Sequence, residues 1–256
     1  MPTSQASDFE ASDFDRTGWA SILFGLMVCL VWTTAAVGQE LERPGFRFYR
    51  NEQGEIHGVG ITGTQRLHTA GLDSLPKLVY FQAWYGSQLT AEDVTYLSRL
   101  TSLQELIIGQ ETIDPPVVIE GDLRQWSNLK NLRTLHFCKH DICDNDLQFV
   151  AALSELTSIE LNARGDSDGR EFQLTDRCAE YLSAATKLRR ICFQDDGDFS
   201  DRFVEQIAAK CSELEHLNLS SSKLTDASLE SLAAHCRQLT WLDIYSTGFT
   251  ARLSPM

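Results

Sequence analysis

The run His136-Phe-Cys138-Lys-His140-Asp-Ile-Cys143 gathers metal-binding residue types in one short stretch. Zinc needs three or four ligands converging in a tetrahedron, usually delivered by paired Cys or His at short fixed spacings. H-x-C-x-H-x-x-C is not such a spacing. His136 and Cys138 would share one face of a strand, about 7 Å apart along the chain at ~3.3 Å per residue. The acidic turns Asp195-Asp196-Gly197-Asp198 (with Asp201) and Asp166-Ser167-Asp168-Gly169 have the residue types for calcium. Neither supplies the bidentate Glu that an EF-hand loop places at its end, so solvated turns are expected. Ser220, His216 and Asp243 have the types of a hydrolytic triad. In a strand, Ser220 and His216 would stand ~13 Å apart, whereas a nucleophile must touch its base. The sequence therefore predicts no metal, no cofactor and no enzyme.

The cysteines follow the same logic. Beyond Cys29 there are Cys138, Cys143, Cys178, Cys192, Cys211 and Cys236. Cys211 and Cys236 hold equivalent positions in two helical segments. Packed helices lie about 8–10 Å apart, too far for comfortable disulfide geometry. They read as small core residues, and free thiols suit a reducing compartment.

What positions these residues is a repeat. The pattern L-x-x-L-x-L, with apolar variants, begins at Leu78, Leu103, Leu132, Leu156, Leu188, Leu214 and Leu239, after a weaker copy at Ile56. Spacings of 20–29 residues are those of a strand-plus-helix solenoid unit, and most intervals here fall in that range. The second half of each unit is also regular. Leu224-Thr225-Asp226 leads into Leu229, Leu232 and Cys236, and Phe199-Ser200-Asp201 into Phe203, Ile207 and Cys211. Ser or Thr before an apolar period of three to four predicts a capped amphipathic helix. One unit cannot bury its apolar face, so stacked neighbours must build the core together.

These residues carry a resemblance. The chain from about Gly54 to Thr247 resembles cysteine-containing leucine-rich-repeat proteins of the F-box adaptor kind. The run Leu-Thr-Asp-x-x-Leu-x-x-Leu-Ala-x-x-Cys-x-x-Leu-x-x-Leu-x-Leu carries it at 224–244, with a close copy at 199–219. The resemblance implies an α/β horseshoe solenoid of about eight repeats. Residues 1–53 show no F-box pattern, so ligase-adaptor chemistry is not implied. The N-terminal segment is more similar to exported or membrane-tethered bacterial repeat proteins.

The organisation expected is a disordered acidic stretch over 1–18, a signal peptide or membrane anchor over 19–38, and a cap hairpin over 39–55. The solenoid follows over 56–250, with a tail over 251–256. Gly18 to Val37 carries no charge, and such a length suffices to cross a bilayer as a helix. Ala36-Val37-Gly38 also offers small residues for a signal peptidase. Arg43, Arg47 and Arg50 outnumber Arg16 across the segment. That would keep the repeats cytoplasmic, whereas a signal-type exit favours export. The expected place is the cell envelope, anchored by one helix or released after cleavage. Two insertions, Thr112–Gly121 and Ala163–Gln173, break the repeat period. After Ile244 no further helix is legible, so either the tail folds over the last repeat, or the chain is a fragment, or two chains meet there; a truncated or self-associating end is the expectation.

Strand alternation selects the outward side chains. They are Tyr80, Gln82 and Trp84; Glu105, Ile107 and Gly109; Thr134, His136 and Cys138; Ser158, Glu160 and Asn162; Arg190, Cys192 and Gln194; His216, Asn218 and Ser220; then Trp241, Asp243 and Tyr245. Aromatics stand at both ends with polar groups between. Exposed Trp and Tyr are enriched at binding hot spots. The candidate site is therefore a concave face of Tyr80, Trp84, Glu105, His136, Glu160, Arg190, His216, Trp241, Asp243 and Tyr245. The expected ligand is a protein or peptide. The net charge of −14 argues against nucleic acid, which needs clustered Lys and Arg. The alternatives are a self-assembling structural protein and, more remotely, a cytoplasmic substrate-adaptor-like protein.

Overall fold

The computed structural model describes residues 44–84, 86–109, 117–140, 142–163, 174–194, 197–219 and 223–244. Its core is one nine-stranded sheet. β1 (Phe46–Arg50) pairs antiparallel with β2 (Ile56–Ile61) through the turn at Asn51–Gly54. From β2 onward every pairing in this sheet is parallel. β3 is Tyr80–Ala83, β4 Gln88–Leu89, β5 Glu105–Ile108 and β6 Val118–Ile119. β7 is Thr134–His140, β8 Ser158–Ala163, β9 Leu174–Thr175 and β10 Arg190–Gln194. β11 (Gly197–Asp198), β12 (His216–Asn218) and β13 (Trp241–Asp243) complete the set. The large sheet runs β1-β2-β3-β5-β7-β8-β10-β12-β13, while β4 with β6 and β9 with β11 form short separate ladders. Eight parallel strands thus match the eight repeats legible in the sequence.

Three devices fix the register, the third only in the later repeats. From β3 to β12, the carbonyl just before each strand of the large sheet accepts two backbone N–H groups from the next repeat. Val79 accepts Gln104 and Glu105, Gln104 accepts Arg133 and Thr134, and Glu215 accepts Thr240 and Trp241. Side chains in the preceding turn add a second bond, as when Ser102 donates to the Leu78 carbonyl at 2.6 Å and Asn131 to that of Thr101 at 2.9 Å. The third device is a carboxylate ladder on the opposite edge. Asp144 accepts the Thr175 N–H and hydroxyl at 2.8 and 2.7 Å. Asp176 accepts the same two groups of Ser200, at 2.8 and 2.5 Å, and Asp201 those of Thr225, at 2.8 and 2.6 Å. The Thr or Ser thus held also accepts an N–H from the first turn of its own helix, so one residue caps a helix and locks two repeats.

Not every unit carries an α-helix. α1 (Ala91–Leu97), α2 (Ala179–Leu182), α3 (Asp201–Ala208) and α4 (Asp226–His235) are α-helical. Residues Leu123–Asn128 and Asp144–Ala152 form 3-10 helices instead. In the second of these Leu147, Phe149 and Val150 are buried, with Leu153 at the end. In α3 the buried set is two pairs four residues apart, Phe203 with Ile207 and Val204 with Ala208, which share one face at 3.6 residues per turn.

The core lies between these helices and the inner face of the sheet. Trp126 is fully buried, stacks on Phe137 at 6.2 Å, and donates its indole N–H to the Val94 carbonyl at 3.1 Å. Phe193, Phe199 and Phe203 form a second aromatic cluster. Cys178, Cys211 and Cys236 are buried free thiols. The Cys211 thiol points at the Ala185 carbonyl and that of Cys236 at the Cys211 carbonyl, each 3.8 Å away. These contacts repeat along the axis and leave no disulfide between the two.

Among the described residues no helix is long and apolar enough to cross a membrane. Gly18–Val37 lies outside the described residues, as do the acidic N-terminal stretch, the tail 251–256 and most of the two insertions.

Candidate functional site

The open face of the sheet carries the outward residues of each parallel strand. On β5, Leu106 and Ile108 are buried against the helices while Glu105 and Ile107 are half-exposed on the other side. Parallel register then lines the residues into rows. Tyr80, Glu105, Thr134, Ser158, Arg190, His216 and Trp241 stand side by side, and so do Gln82, Ile107, His136, Glu160, Cys192, Asn218 and Asp243. Four outward residues, Gln82, Cys138, Cys192 and Asn218, are buried all the same. Strands about 4.8 Å apart let longer neighbours overhang short side chains, which alternation alone does not register.

At the first end the face is aromatic. Tyr49 meets Tyr80 edge-on at 5.5 Å, and the Arg47 guanidinium lies 5.5 Å from the centre of the Trp84 ring. The Tyr80 hydroxyl donates to Gln82. Gly58 and Gly60 on β2 make this packing possible. A Cβ on Gly58 would come within 2.8 Å of the Tyr80 ring, and one on Gly60 within 2.5 Å of the Trp84 indole nitrogen.

The middle is polar and paired. The Arg190 guanidinium and the His136 imidazole flank Glu160, at 3.6 and 3.8 Å from its two oxygens. The His136 Nε2 also stands 2.9 Å from the Cys138 sulfur. The carboxylate and the thiol thus approach the same ring nitrogen. A nucleophile–base–orienter relay uses both nitrogens, so this trio is not arranged as one. Gly109, with φ of +97°, lets Cys138 sit close: a Cβ there would come within 2.5 Å of the Cys138 carbonyl oxygen. Among the described residues no three His, Cys, Asp or Glu side chains form a metal-holding group.

At the far end His216 and Trp241 stack, with centroids 5.6 Å apart and planes within 1° of parallel. Burial, reinforced by the Arg190 guanidinium, lowers His216 to a pKa of about 4, so its ring is neutral near pH 7. Asn218 donates to Asp243 at 3.5 Å. Trp241 is 43% exposed, an unusual amount for so large an apolar side chain in this fold. Tyr245 lies outside the described residues.

The fold is a leucine-rich-repeat solenoid. Comparison with protein-family models and with curated proteins returns no match. Among solved structures, the chain is similar to an internalin from Listeria monocytogenes, with 22% identity and a TM-score of 0.44, over 70% of this chain and 52% of that one. It is also similar to the leucine-rich-repeat ectodomain of the plant membrane receptor kinase GASSHO1/SCHENGEN3 from Arabidopsis thaliana, solved with Casparian strip integrity factor 2. That match has 16% identity and a TM-score of 0.42, over 74% of this chain and 20% of that one. The solenoid thus spans about half the length of the internalin and a fifth of the receptor ectodomain.

The structure brings together nine of the ten residues marked in the sequence on one sheet face. Arg47, Tyr49, Gly58, Gly60, Ile107 and Cys138 join them as residues that shape it. Arg47 and Tyr49 escaped notice because they reach the face from the antiparallel β1, which has no place in the repeat register.

Proposed function

We propose that this chain is a non-catalytic binding module that takes a protein or peptide on the strand face of its solenoid, at the cell envelope. The observation that carries the reading is the pair of aromatic stations, Tyr80 with Trp84 and His216 with Trp241, at opposite ends of one rigid sheet. A face already held by the three register devices needs little ordering on binding, which lowers the entropic cost of association. The uncharged segment Gly18–Val37 supports membrane attachment or export.

Trp84→Ala together with Trp241→Ala tests this directly. Wild-type chain, used as bait against native envelope extract, is expected to capture a discrete partner that the double variant loses. Equal capture by both proteins refutes use of this face.

A second reading, self-assembly, is favoured by one specific feature. β13 is the last strand of the described sheet, with Trp241 exposed and Leu239, Leu242 and Ile244 only partly buried. Light scattering after size exclusion separates the two: a monomer at every concentration removes self-assembly.

A further inference from the structure

The carboxylates on the strand face are not equivalent. Glu160 has Arg190 and His136 beside it, and Asp243 has Asn218. The Glu105 carboxylate forms no hydrogen bond and no ion pair with any described residue. It is nevertheless drawn half into the surface, and burial alone pushes its carboxyl above the usual range. An anion partly removed from water without a partner is costly, and an opposite charge is what relieves that cost. The cations nearest along the face are committed elsewhere, Arg47 to the Trp84 ring and Arg190 to Glu160.

The surroundings suit one kind of side chain. In the sheet register Glu105 stands directly between Tyr80 and Thr134, one strand spacing from each. Ile107, two residues along on the same side of β5, offers a half-exposed apolar surface. Lys and Arg lay an aliphatic stem on apolar surface and carry charge at the tip, and a cation is attracted to an aromatic face such as that of Tyr80. The whole chain carries a charge of −14, which steers basic partners toward it.

We propose that Glu105, with Tyr80 and Ile107, is the acceptor for a Lys or Arg side chain of the bound partner: the stem on Ile107, the charge between the carboxylate and the ring. This rests on the strand-face reading above and specifies the partner as a basic polypeptide segment.

Calorimetry on the full-length chain at low salt tests it, with hexalysine and its fully Nε-acetylated form as probes. Hexalysine is expected to bind, and the acetylated peptide, with the same stems but no charge, to bind at least about tenfold more weakly. Glu105→Gln should weaken hexalysine about tenfold, while Glu180→Gln, an exposed carboxylate on α2, leaves it unchanged. Equal weakening by the two variants shows general attraction to an acidic surface and overturns the proposal, as does hexalysine binding that Glu105→Gln does not alter. The paired Trp variants keep the two claims apart. Lost capture there with an indifferent Glu105→Gln removes the cation acceptor and leaves the strand face; retained capture removes the strand face itself.

Discussion

Replacing Asp144 with Ala should open one junction of the solenoid and leave its neighbours closed. The substitution removes both bonds that the carboxylate accepts from Thr175, at 2.8 and 2.7 Å. Hydrogen bonds to a charged group contribute about 1.5–3 kcal/mol each. Thr175 is exposed, so water replaces much of what is lost, and about 2 kcal/mol for the pair together is the appropriate magnitude. In a linear array this deficit is felt at the interface where it arises. Every 1.4 kcal/mol is about a tenfold change, so the Thr175 amide should exchange about thirtyfold faster in native-state hydrogen exchange. The Ser200 and Thr225 amides, held by Asp176 and Asp201, serve as internal controls and should change far less. Asp144→Asn keeps one acceptor and should recover about half the free energy. Thr175→Ala in the Asp144→Ala background should add little, since the two residues act as one unit. Unchanged protection at Thr175 would refute the ladder as a source of stability. Equal loss at all three amides would refute its local action.

Four further outcomes are expected. Trp126→Ala empties a fully buried indole site and removes one of the bonds that the Val94 carbonyl accepts; a loss of about 3–5 kcal/mol should appear in urea unfolding, and a loss under 1 kcal/mol counts against the packing described. Gly109→Ala forces a Cβ to within 2.5 Å of a backbone oxygen at positive φ, and should cost more than the roughly 1 kcal/mol typical of glycine substitutions; a neutral melting curve would contradict it. His216 is lowered to a pKa of about 4, first by burial and then by Arg190, whereas the unfolded chain takes up that proton near 6.5. The unfolded state therefore binds more protons between those values, and stability contributed by the neutral ring is lost as pH falls from about 6.5 to about 4. His216→Gln should flatten that slope in denaturant melts at pH 7 and pH 5, and an unchanged slope rejects the assignment. The Cys211 thiol, pushed up to about 12 by burial and then by neighbouring Cys236, should resist a thiol-specific disulfide reagent at pH 8 until the chain unfolds; prompt labelling of the native protein at Cys211 would refute this.

How much of this was legible beforehand follows from the kind of regularity each feature has. The strands, the rows and the burial of Cys211 and Cys236 were readable because a repeat converts spacing into position. Once Leu106 and Leu135 are equivalent, so are Glu105 and Thr134. Which units take a 3-10 helix was not legible, because Val94, Leu97 and Leu100 in the α1 unit keep the same steps of three as Leu147, Val150 and Leu153. The contact between His136 and Cys138 was not legible. Chain separation measures backbone positions, and two flexible side chains on one face can lean together to 2.9 Å. The unpaired state of Glu105 was hidden for a related reason: sequence names the charges, and only packing decides which of them meet.

The carboxylate ladder also sets where this chain can change length. From Asp144 to Thr225 each junction has the same chemistry, a carboxylate offered forward and a hydroxyl with its N–H offered back. A unit copied from this stretch would arrive with both halves of the connection and fit between its neighbours without new contacts. The earlier units lack that interchangeability. There Asp93 turns back to bond the Leu67 N–H as well as the N–H of its own Thr90, and Gln88 reaches forward to Glu120. Duplication or excision should therefore be better tolerated in the later repeats, whereas each earlier unit is fitted to one particular neighbour.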